Sequence, residues 1–156
     1  MALTFGSGSW AIALINNGTE RSGSPLRKEA ALALTAGDAL ILLTNGVVDK
    51  AVVGSTAIFG VVQTTVSAVA ATRKPVLVIP AVEDIVWSAQ FSSSATPGNF
   101  GVSRDINGAT GVMLLTTTTA QGVARMIGYE PGIKNEAGAY ARVLFVWQKS
   151  QWTGQA

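Results

Sequence analysis

Cysteine and histidine are both absent from this chain of 156 residues. Without cysteine there is no disulfide, no thiolate nucleophile and no zinc–sulfur site. Without histidine the commonest general base near neutral pH and the commonest transition-metal ligand are missing too. The fold must therefore rest on its core, and a domain of this length can bury roughly two-thirds of its unfolded surface. Lack of cysteine suits assembly in the cytosol.

Charge is also scarce. Charged residues make up 13% of the chain, against about 25% in an ordinary soluble domain. The apolar fraction is 48% and the mean hydropathy is +0.37. Two readings are open: part of the surface is permanently covered by neighbouring chains, or an Ala-, Gly- and Thr-rich surface is merely neutral. The shortage of charge favours the first. Net charge is only +2, and Arg27-Lys28 and Arg73-Lys74 are isolated pairs. A nucleic-acid binder carries a basic stripe interleaved with aromatics, so no nucleic acid is expected as a partner. Apolar stretches are interrupted well short of the roughly 20 residues that span a bilayer, so no membrane is expected either. The first residues lack the charged and apolar regions of a signal peptide.

What the sequence does have is turn chemistry between short β-prone runs. Asn45-Gly46 separates the apolar runs 39–43 and 47–51, the strongest short-range hairpin signal, because a turn there needs residues that accept positive φ. Residues 26–34 could start a helix at Ser24-Pro25, but they run into the turn Thr35-Ala36-Gly37-Asp38, and a strand is preferred. Further strands are expected over 58–62, 75–80, 86–91, 100–104, 111–115, 123–129 and 140–147, with turns between them. Strands at roughly 8–12-residue spacing point to an all-β fold, a compact sandwich or barrel of mostly antiparallel strands with at most one short helix. The expected organisation is an N-terminal arm and loop over 1–25, a β domain over 26–149 and a frayed C-terminal tail over 150–156.

Patterns that could carry chemistry are weak. Gly6-x-Gly8-x-x-Ala11 resembles a dinucleotide fingerprint, but only five residues precede it and Asn16-Asn17-Gly18 would end any helix after it. Glu83-Asp84 are adjacent and would point to opposite faces of a strand. A serine nucleophile would need a lysine base, and no suitable spacing occurs. No catalytic residue, cofactor or metal ligand is nominated, and the chain is not expected to be an enzyme.

The tryptophans divide by position. Trp87 and Trp147 lie in apolar strands and are expected in the core. Trp10 in the arm and Trp152 in the tail, with Phe5, are candidate partner contacts. Residues 1–15 are read as an anchoring arm hinged at Gly6-Ser7-Gly8-Ser9, the competing reading being that residues 10–15 form the first strand of the domain itself.

The stretch from Leu34 through Gly37-Asp38, Asn45-Gly46 and Lys50-Ala51, then Ile58 to Val62, resembles small capsid decoration (cement) proteins of tailed phages. Residues 75–80 leading to Trp87 and Phe91 look like them as well, so the likeness covers roughly residues 30–147. It implies a compact β domain, usually a homotrimer, on the capsid exterior, clamping adjacent subunits of the major capsid protein after assembly in the host cytoplasm. The alternatives are a carbohydrate-binding β module of a fibre or tail, and another tail or baseplate structural protein.

Overall fold

The computed structural model describes residues 3–4, 11–12, 26–30, 32–67, 74–82, 85–109, 113–131 and 141–152. The fold is all-β, and the sole helical element among these residues is a 3-10 turn, Pro97–Asn99. Two sheets make it up.

The first sheet is a closed barrel of β3 (Leu26–Ala30), β4 (Ala39–Leu42), β5 (Val48–Lys50), β6 (Gly60–Val62) and β7 (Lys74–Pro80), ordered β3-β5-β4-β6-β7. All its ladders are antiparallel except β3–β5, which is parallel. The second has six strands: β1 (Leu3–Thr4), β2 (Ala11–Ile12), β8 (Trp87–Gln90), β9 (Ser103–Arg104), β10 (Ala124–Tyr129) and β11 (Arg142–Trp147). Their order is β1-β2-β8-β11-β10-β9, antiparallel throughout.

The two-residue period of a strand explains how the layers join. Along β4, Leu40 and Leu42 pack with the barrel interior, while Ala39 and Ile41 pack with the core shared with the second sheet. Val61 and Ile79 of β6 and β7 turn the same way, and Val62 and Val78 fill the barrel. On β11, buried Val143, Phe145 and Trp147 alternate with half-buried Arg142, Leu144 and Val146. The shared core is aromatic: Trp147 meets Phe145 edge-on at 4.9 Å and Trp87 at 6.5 Å, and all three are fully buried, as expected for Trp87 and Trp147.

Close approach fixes one glycine. A Cβ on Gly60 would lie 2.4 Å from the Ile79 carbonyl oxygen and 2.5 Å from Val78 Cγ1, so β6 and β7 can pack this tightly only around glycine.

The Asn45-Gly46 hairpin forms, with Thr44, Asn45 and Gly46 as its loop between Leu43 and Val47. Gly46 N–H donates to Leu43 O and Leu43 N–H to Val47 O, both at 2.9 Å. Gly46 takes the left-handed conformation at φ 79°, and Asn45 Oδ1 accepts the Val47 N–H. This is a three-residue hairpin loop closed by a glycine in the left-handed conformation. Of residues 26–34, Leu26–Ala30 form a strand, the preferred reading. Of the expected strand over 111–115, residues 111 and 112 lie outside the described residues, and among the rest Leu115 makes isolated bridges to Phe91 and Ile106.

Candidate partner-binding surfaces

Two polar clusters brace the second sheet. Asp105, 5% exposed, accepts the backbone N–H of Gln121 and Gly122 at 2.9 and 2.7 Å and the Thr118 hydroxyl at 3.0 Å, so its carboxylate organises the 116–122 loop. Arg104 extends that brace: its guanidinium donates to Thr117 O at 2.6 Å and lies over the Phe91 ring. At the other end, Arg142 Nε meets Glu130 Oε2 at 2.5 Å and Ser88 Oγ at 3.1 Å, while the Ser88 hydroxyl donates to the same Glu130 oxygen. Buried and half-buried charges and hydroxyls joined this way hold loops and strand ends in place. Among the described residues, no group of three or more His, Cys, Asp or Glu side chains could hold a metal ion.

Of the candidate contacts, Phe5 and Trp10 lie outside the described residues, as does the Gly6–Ser9 hinge. Four residues of the arm are described, and they form two strands on the edge of the second sheet: Leu3 and Thr4 pair with Ile12 and Ala11, which pair in turn with Trp87 and Ser88. Residues 11 and 12 thus extend the second sheet, while residues 10 and 13–15 lie outside the described residues.

Trp152 is fixed to the domain, and the frayed-tail expectation fails for residues 150–152. Ile58 N–H donates to Lys149 O and Gln151 N–H to Ile58 O, both at 3.0 Å. The Gln151 amide grips Leu42 at both ends, accepting its N–H at 2.7 Å and donating to its carbonyl at 3.2 Å. It continues the β4 ladder where β6 has ended. Trp152 then stacks on Phe59, with centroids 4.7 Å apart and planes inclined by 22°, and its indole N–H donates to the Phe59 carbonyl. A polar-looking tail read from composition thus becomes a strap. Its donors and acceptors meet backbone groups that no sequence pattern marks. Trp152 as a whole nevertheless remains 43% exposed.

Other apolar side chains face solvent although the core is filled: Leu32, Val52, Val53, Leu77 and Ile127, with Val53 the most exposed at 69%. Val52 and Val53 sit on a rigid turn. Ser55 N–H donates to Val52 O, Val52 N–H to Ser55 Oγ, and Gly54 takes φ 90°. Gly108 lies so close beneath that a Cβ there would come within 2.8 Å of Val52 Cα. Sequence reasoning missed this tip; the signal available was Val52-Val53 directly before Gly54-Ser55.

One open depression of about 290 Å³ is lined by Arg27, Lys28 and Glu29 from β3 and by Asn45, Gly46 and Val47 from the hairpin loop. The sequence marked Arg27-Lys28 only as an isolated basic pair. Comparison with known proteins matches the chain to no family and to no curated relative.

Proposed function

We propose that this chain is a structural virion protein, a cement protein that binds the outside of a phage capsid and stabilises the lattice of the major capsid protein, acting as a homotrimer. The observation that carries this reading is the exposure of large apolar side chains over a core already filled, in a chain with 13% charged residues. Such a surface is poorly suited to water and well suited to permanent cover by other protein. Rigid presentation fits the task, because a preordered tip such as Val52-Val53 loses little entropy on docking, and weak contacts add up over a repeating lattice.

A sugar-binding module needs exposed aromatics beside polar side chains in one groove. Among the described tryptophans Trp87 and Trp147 are buried and Trp152 has one face on Phe59, so the cement reading is better supported.

Cryo-electron microscopy of the particle that carries the chain tests it, together with sedimentation of the free protein. The expected outcome is density for three copies around a common axis, each bridging neighbouring capsid subunits. A monomer at high concentration together with isolated copies on the particle refutes the trimer. Purified particles without the chain refute the role.

A further inference from the structure

Asn-Gly occurs three times in the chain, at Asn17-Gly18, Asn45-Gly46 and Asn107-Gly108. The first lies outside the described residues. Such a pair carries its own chemistry. The glycine nitrogen can attack the asparagine Cγ and close a five-membered ring, because glycine has no Cβ to hinder the approach. Ring closure needs an asparagine side chain that can turn and open space beside the glycine. The two described pairs differ in both respects.

Asn107 is clamped. Its Oδ1 accepts the N–H of Leu114 at 2.9 Å and of Ala109 at 3.2 Å, and its own N–H donates to Leu114 O at 3.1 Å. Next to it Ile106 bridges Leu115, and both of those side chains are buried. Gly108 leaves no space, since a Cβ there would lie 2.8 Å from both Val52 Cα and Val53 N. Asn45 stands at the exposed tip of its hairpin, with Thr44 and Gly46 exposed on either side. Gly46 N–H donates to Leu43 O, and Asn45 Oδ1 accepts Val47 N–H, so both bonds close within residues 43–47. A fluctuation of the tip breaks them while the β4–β5 ladder, which begins at Leu42↔Val48, stays paired. Nothing lies within 4 Å of a would-be Cβ on Gly46.

We infer that Asn45 is a modification site, converted by the chain's own main-chain nitrogen to aspartate and isoaspartate, while the fold holds Asn107 unreactive. The Gly46 nitrogen gives up its proton and bonds to Asn45 Cγ. The Cγ–Nδ2 bond breaks, and that nitrogen takes up a proton and leaves as ammonia. Water then opens the succinimide at one of its two carbonyls. Opening at Cγ gives aspartate, and opening at the main-chain carbonyl gives isoaspartate, whose backbone runs through the former side chain. Water is the only reagent consumed. Either product puts a carboxylate beside Arg27, Lys28 and Glu29, which share a depression with residue 45, and lowers the net charge by one. Isoaspartate also adds one atom to the main chain of a three-residue loop, displacing Gly46 from its bond to Leu43. This chemistry belongs to the chain alone and is independent of the cement reading.

The test ages the full-length protein in mildly alkaline buffer, folded and in concentrated guanidinium, and follows the tryptic peptides 29–50 and 105–125 by mass spectrometry. Each of these peptides contains one asparagine. In the unfolded chain the two pairs are expected to convert at similar rates, since glycine follows both. In the folded protein Asn45 is expected to convert at least about tenfold faster than Asn107, a ratio that a difference of about 1.4 kcal/mol in local opening produces. The product of 29–50 is expected as two species of equal mass and different chromatographic retention, forming faster as pH rises, because the attacking nitrogen must lose its proton. Asn45→Gln, at an exposed position and with a side chain one carbon too long for the five-membered ring, is expected to abolish the mass gain in 29–50. Equal rates at the two pairs in the folded protein overturn the inference. So does an Asn45 that keeps its amide after the unfolded chain has converted, which would show that the tip bonds close the site. A mass gain that persists in Asn45→Gln overturns it as well.

Discussion

The barrel and the six-stranded sheet are built on opposite principles. Every barrel strand lies between Leu26 and Pro80, whereas the sheet gathers strands from Leu3 to Trp147, with the last of them, β11, at its interior. The barrel is filled with Leu40, Val48, Val62, Val76 and Val78, while the core under the sheet is dominated by Trp87, Phe91, Phe145 and Trp147. Locality in sequence does not, however, make the barrel autonomous. Ala39, Ile58, Val61 and Ile79 belong to the sheet's core, so the barrel's outer face is also the sheet's inner lining. A closed barrel of this size still needs the second layer to cover its apolar outside.

The strongest way to break this comparison is to empty the shared core. Trp147→Ala is expected to cost about 3–5 kcal/mol, a large part of the roughly 5–15 kcal/mol that holds a typical domain together. If the halves are one cooperative unit, hydrogen exchange at barrel amides such as Leu40, Val62 and Val78 accelerates together with that of the sheet. Barrel amides that stay protected while the sheet opens would show that the local half stands alone.

That contrast also explains what was legible in the sequence. The barrel's turns announce themselves because each is closed by residues a few positions apart: Asp38 Oδ2 accepts Thr35 N–H, Asp38 N–H donates to Thr35 O, and Gly46 supplies the positive φ that its loop needs. The all-β class and the buried pair Trp87 and Trp147 follow from composition and alternation. The candidate surfaces were less visible. The depression beside β3 depends on where the hairpin loop comes to lie, and the strap depends on Gln151 reaching Leu42, 109 positions away in the chain. Such pairings leave no local periodicity. The bulge between Met126 and Gly128, which interrupts the β10–β11 register, is likewise set by the partner strand.

A pair of strand glycines sharpens the comparison at intermediate magnitude. Gly60 in the barrel has no room for a methyl group, so Gly60→Ala is expected to force β6 from β7 at a cost of about 1–3 kcal/mol or more. Gly128 in the sheet has nothing within 4 Å of its would-be Cβ, and Gly128→Ala is expected to stay within about 0.5 kcal/mol of neutral. Denaturant midpoints of the two variants test this. Equal effects would mean that the β6–β7 contact is softer than its geometry.

The smallest effect belongs to the strap that ties the end of the sheet back to the barrel. Trp152 contributes a stacked face on Phe59 and an indole N–H to the Phe59 carbonyl. An aromatic pair adds about 0.5–1.5 kcal/mol beyond burial, and a neutral hydrogen bond a net 0.5–1.5 kcal/mol. Both sit at the low end here, since Trp152 as a whole is 43% exposed and the Phe59 carbonyl keeps a second donor, Ala81 N–H at 3.0 Å. Trp152→Ala is therefore expected to cost about 1–2 kcal/mol, roughly 2–8 °C in Tm for a domain of this size. Trp152→Phe keeps the stack and loses only the donor, so about half of that loss is expected. Under the proposed cement role, attachment to the particle, measured well below either melting temperature, then reports on the exposed face alone. It is expected to survive Trp152→Phe, which still presents an aromatic ring, and to weaken in Trp152→Ala. If both variants attach like the wild type, Trp152 serves the fold only, and the exposed Val52-Val53 tip is the next surface to vary.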